Sequence, residues 1–126
     1  MKLKDFVNYC KKNNYRSVYL AGPISSIGLT NAKDAFYYYT KFLIARDIVA
    51  YSTFSGPYPY NRNKNFYIRQ GIMEMVKHDI VLIIADNDTS NSRIEEKLAL
   101  DLGMEVFKIK RNPNEKLNNN DLIIKL

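Results

Sequence analysis

The apolar positions change their period along the chain. Leu3, Phe6, Val7 and Cys10 fall at helical spacing, so residues 3–13 read as a short amphipathic helix. Arg16 to Ala21 (R-S-V-Y-L-A) reads as a buried strand, stopped by Gly22-Pro23. Ala32, Ala35, Phe36, Tyr39, Phe42 and Leu43 recur at i, i+3, i+4 and i+7, giving residues 31–46 one apolar helical face. Ile48 to Tyr51 is a short second strand. Residues 52–65, rich in proline, aromatics and asparagine, read as a long loop, a feature usually functional or mobile in a small domain. Ile68, Ile72, Met75 and Val76 mark a third helix to about His78. In the strand from Asp79 to Ala85, I-V-L-I-I runs without alternation, which implies burial on both faces and a parallel sheet covered by helices. Residues 92–102 form another helix and Glu105 to Ile109 another strand. A polar, asparagine-rich tail follows, closing at Leu122 to Leu126 with an edge strand or docking segment.

Helices alternating with apolar strands predict an α/β fold. The expected architecture is a doubly wound, flavodoxin- or Rossmann-like, mostly parallel sheet of four to five strands flanked by helices. One domain over residues 1–126 is expected, with its core at 16–110 and a polar tail at 111–126. Ligands of such sheets sit at the carboxyl ends of the strands. Three segments should therefore line a site: Gly22–Thr30, Ser52–Asn65 and Asp86–Ser92.

Composition narrows the classes. Hydrophobic residues make up 46% of the chain, enough for a core. The longest apolar run, Ile80 to Ala85, is far short of the roughly 20 residues that span a bilayer, and no signal peptide is visible, so no membrane partner and a cytoplasmic location are expected. Cys10 is the sole cysteine, which excludes an internal disulfide and fits a reducing compartment. Neither metal nor cofactor is expected. The net charge of +6 favours anionic partners, but the lysines are scattered. Nucleic acid therefore ranks below small anionic ligands.

Two segments could carry chemistry. In Y-L-A-G-P-I-S-S-I-G, from Tyr19 to Gly28, Gly22 permits a sharp turn and close backbone approach, and Ser25 and Ser26 offer hydroxyls. The pattern is not a P-loop, and it reads either as an ordinary strand-to-helix turn or as an anion cradle. In S-N-S-R-I-E-E-K-L-A-L-D-L-G, from Ser90 to Gly103, Ser92 and Glu95 have capping-box spacing. Glu95, Ala99 and Gly103 also share one side of the helix, which would face Glu95 toward the ligand crevice. A helix amino terminus favours an ionised carboxylate, and an ionised, positioned carboxylate can act as a nucleophile. Glu96 points about 100° away and reads as solvated. His78, the one histidine, reads as an exposed or capping residue at a helix end. Phe54, Tyr58, Tyr60, Phe66 and Tyr67 either stack on a base or anchor the long loop. Tyr37 and Tyr38 fall on the outer side of the long helix and suggest an interface, with a homodimer or higher homo-oligomer as the expected assembly.

Taken in order, Y-L-A-G-P-I, then Y-I-R-Q-G-I-M-E-M-V-K-H-D-I-V-L-I-I, then E-x-x-x-A-x-x-x-G make the chain resemble the nucleoside 2-deoxyribosyltransferase-like superfamily. That group includes nucleoside deoxyribosyltransferases, nucleotide N-glycosidases and small phage-type relatives. The resemblance covers about Val18 to Ile109. It implies that Glu95 is a nucleophile toward the anomeric carbon of a (deoxy)ribosyl group and that Tyr19 orients it. It implies that Gly22, Pro23, Ser25 and Ser26 hold sugar or phosphate, and that Thr89, with Ser90 beside it, supplies a hydroxyl.

One position departs from the family pattern. The family has an aspartate nine residues ahead of the one that opens the main strand, Asp79 here, and the matching residue is Gln70. An amide cannot protonate a leaving base as a carboxylic acid can. Asp86 or Asp88 are the candidate substitutes. Two functions follow. The first is cleavage or transfer of an N-glycosidic bond of a nucleoside or nucleotide through Glu95, with Tyr60, Gln70 and Asp88 also in the binding set. The alternative is a catalytically silent relative that binds or sequesters a nucleotide-derived molecule, such as a viral sponge for an immune signal.

Overall fold

The computed structural model describes residues 1–22, 29–52, 55, 62–85, 90–110, 117–118 and 120–126. Among the described residues four helices and five strands follow in order: α1 (Leu3–Lys12), β1 (Ser17–Ala21), α2 (Leu29–Ile44), β2 (Val49–Tyr51), α3 (Lys64–Met75), β3 (Ile80–Ala85), α4 (Ser90–Asp101), β4 (Glu105–Lys110) and β5 (Leu122–Lys125). The strands form one sheet in the order β2-β1-β3-β4-β5. The first four are parallel, and β5 closes the edge antiparallel to β4. This is the doubly wound α/β architecture, and its strand order reverses between β1 and β3.

The sheet buries both faces by simple alternation. Val18, Leu20, Ile80, Leu82, Ile84, Phe107 and Ile109 point to the side covered by α1 and α2. There they meet Phe6, Val7 and Cys10 of α1 and Ala35, Phe36, Tyr39 and Leu43 of α2. Tyr19, Ala21, Val81, Ile83 and Val106 point to the other side, against Met75 of α3 and Ala99 of α4. The second face carries fewer and smaller apolar groups, and the candidate polar residues lie there.

Local chemistry fixes the ends of the central strands. The Asp79 carboxylate accepts from the backbone N–H groups of Arg16 and Ser17 at 2.8 and 3.1 Å and from the Ser17 hydroxyl at 3.3 Å. The N–H of Asp79 donates back to the Ser17 carbonyl at 3.1 Å. The amino ends of β1 and β3 are thus clamped in register. At the carboxyl end of β1, a Cβ on Gly22 would stand 2.8 Å from the Ile84 carbonyl oxygen and 3.2 Å from Phe36. Only glycine lets the chain leave β1 so close to β3, beside the topological switch point.

Several expectations shift. The helix expected at 92–102 begins at Ser90, so Ser92 lies within its first turn and cannot be the N-cap of a box with Glu95. Gly103 does not extend a small-residue stripe: it lies beyond α4, exposed, with φ +77°, a backbone state that side chains disfavour. Tyr37 is exposed as expected, whereas Tyr38 is half-buried against the core with its ring edge-on to Tyr39. Among the described residues no helix is long and apolar enough to cross a membrane.

Candidate functional site

Tyr19 sits at the middle of β1, and the pleat turns its side chain to the α3/α4 side, where it is 1% exposed. Its ring lies 6.3 Å from Tyr51, near parallel at 21°, and 6.1 Å from His78. Tyr51 and His78 stack on one another at 5.6 Å. The three rings brace one another, so Tyr19 has little room to swing. His78 is therefore not an exposed cap: it is half-buried, and its Nδ1 is buried without a hydrogen-bond partner. Burial pushes its pKa down, against the opposing pull of Glu74 and Asp79. Burial also raises the Tyr51 phenol, and the Glu74 carboxylate adds to it.

Glu95 approaches the same place from α4. It lies five residues into the helix, roughly 7.5 Å along the axis. Ala99, one turn on, faces the sheet fully buried, and Glu95 shares that side at 9% exposure. Burial pushes its carboxyl up to about 7, and the Tyr19 hydroxyl, donating a hydrogen bond to it, partly offsets the rise. Oε2 is buried with no hydrogen-bond partner, which leaves Oε1 as the acceptor from Tyr19. Burial thus opposes the ionised form that the helix amino terminus is expected to favour. The dipole's influence fades within the first turn, and desolvation at this depth is larger.

The neighbouring Glu96 is turned toward β4 and pairs with Lys108 at 3.2 Å, both partly buried. It is thus engaged rather than solvated, and it helps fix the rotation of α4 that presents Glu95 to the sheet.

Of the residues singled out in the sequence, Tyr19 and Glu95 come together, and Gly22 ends the same strand that carries Tyr19. Gln70 is exposed on α3. Gly71, the next residue, is buried against Tyr19 and Glu95. Sequence reasoning missed it, and its only signal was a glycine inside an otherwise regular helix. Ser90 is the first residue of α4. Pro23, Ser25, Ser26, Tyr60, Asp86, Asp88 and Thr89 lie outside the described residues, as do Phe54 and Tyr58. Among the described residues no three His, Cys, Asp or Glu side chains gather as metal ligands.

Chemically, the pair offers a carboxylate with one oxygen held by a phenol and the other unengaged. No family model, curated protein or solved structure matches the chain.

Proposed function

We propose that the protein binds a nucleoside or nucleotide and cleaves or transfers its N-glycosidic (deoxy)ribosyl bond through Glu95. The observation that carries this reading is a buried carboxylate with Oε2 unpartnered and its other oxygen held by Tyr19. A buried, unpaired carboxylate is costly to a fold, and such groups concentrate at functional sites. In the proposed step, Oε2 of the ionised form attacks C1′. The C1′–N bond breaks with its electron pair passing to the base, which takes up a proton from water. The resulting glycosyl ester is resolved by attack of water or of a second base at C1′, which returns the carboxylate and releases the attacking group's proton to solvent. Since burial pushes Glu95 to about 7, about half of the free protein carries the reactive form at neutral pH, and the rate should rise with pH through that value.

A second reading is that of a binder that has lost the chemistry and sequesters a nucleotide-derived molecule. One observation favours it: Gln70 is exposed, and among the described residues no acid stands beside Glu95 to protonate a leaving base. Incubation of the protein with nucleosides, nucleotides and cyclic nucleotides, followed by chromatography, separates the two readings. Glycosyl chemistry yields free base. A binder returns the ligand intact on denaturation.

A further inference from the structure

A glycine within α3 occupies a place on that helix where a side chain would collide with the Tyr19–Glu95 pair. Gly71 is buried. A Cβ there would stand 2.7 Å from the Tyr19 hydroxyl oxygen, 3.4 Å from Glu95 Oε1 and 3.6 Å from Glu95 Cδ. The first of these falls under 3.0 Å, a separation Cβ atoms do not adopt. A long, flexible neighbour could yield. Tyr19 is a rigid ring, 1% exposed, with Tyr51 on one side and His78 on another. The conflict would therefore fall on the hydroxyl's bond to Glu95 or on the packing of α3 against α4.

Glycine is a poor residue for a helix interior, so its presence here runs against local preference. We infer that Gly71 is a positioning residue: its missing side chain is the seat of the Tyr19 hydroxyl, which holds Glu95 with one oxygen fixed and one unengaged. Glu95 as the reacting group rests on the function proposed above, whereas the seat itself is a statement about three residues of this chain. It can fail or stand without any substrate.

The test is a double-mutant cycle on the intact chain: wild type, Gly71→Ala, Tyr19→Phe, and both together. Two quantities are read without ligand: the urea midpoint, and the Glu95 titration by carboxyl carbon NMR. Gly71→Ala in the wild-type background should lower the urea midpoint and move the Glu95 titration to higher pH, because the phenol's hydrogen bond is lost. Tyr19→Phe should also move the titration upward. In the Tyr19→Phe background the hydroxyl oxygen is gone and the added methyl keeps only ordinary contact with Glu95 Oε1 at 3.4 Å, so Gly71→Ala should raise the urea midpoint, as alanine does in an open helix position. Failure of the single Gly71→Ala variant to fold, with the double variant folded, supports the inference equally. The inference is overturned if Gly71→Ala raises the midpoint equally in both backgrounds, if it leaves the Glu95 titration in place, or if the double variant also fails to fold.

Discussion

Replacement of Glu95 by glutamine should stabilise the protein in alkali and not in acid. In the unfolded chain the carboxyl titrates at its ordinary value of 4.5, and in the folded chain burial pushes it up to about 7. Below pH 4.5 both states are protonated and the group contributes no pH dependence. Between 4.5 and about 7 the unfolded chain ionises first, so folded stability falls as pH rises. Above that window the full loss is present. At about 1.4 kcal/mol for each pH unit, it amounts to roughly 3 kcal/mol. Glutamine carries no charge to desolvate, but its amide N–H groups need acceptors, at a cost of about 1 kcal/mol. The variant should therefore be near wild type or slightly weaker at about pH 4, and about 2 kcal/mol more stable at about pH 8. Urea denaturation of both proteins across this range, with equal m-values, measures the difference. Parallel stability curves for the two proteins would refute the claim that Glu95 is desolvated in the folded state.

Three further outcomes follow. Asp79→Ala removes the acceptor of three hydrogen bonds at the start of β1 and should cost about 1–3 kcal/mol in urea denaturation. Gln70→Asp places a carboxyl at the position where the resemblance expects a proton donor and should raise base release measured by chromatography. At the β4–β5 edge, burial raises the Glu105 carboxyl, but the Lys125 ammonium and the Tyr15 and Tyr9 hydroxyls outweigh it and hold the group down to about 2. The stability this provides is present above the ordinary value of 4.5 and is lost as pH falls toward about 2. Lys125→Met should move acid unfolding, followed by circular dichroism, to higher pH.

The sheet was legible because burial leaves a plain signature. The short, β-branched and unbroken I-V-L-I-I of β3 reads as a strand covered on both sides, and α2 carries its apolar face at regular helical spacing. Glu95 was legible from sharing a helix side with Ala99, which is fully buried. Its environment was not. The spacing of Ser92 and Glu95 resembles a cap, and only the observed start of α4 at Ser90 removes that meaning. His78 follows α3 in the chain, where helix ends are usually solvated, and its burial comes from Tyr19 and Tyr51 on two other elements. Gly71 was invisible for the same reason: its partners are a tyrosine on β1 and a glutamate on α4, and no local pattern connects them. Features made by side chains from distant strands and helices leave no periodic trace in the sequence.

The most direct measurement is base release by wild type and Glu95→Gln, assayed side by side on the nucleoside and nucleotide panel, with binding followed in parallel. Glutamine is nearly the same shape as glutamate but a very poor nucleophile, so the ground state keeps its contacts while the transition state loses its partner. Glu95 as the nucleophile requires that wild type frees a base and that Glu95→Gln frees none while binding within a few-fold of wild type. Base release surviving unchanged in Glu95→Gln would contradict it.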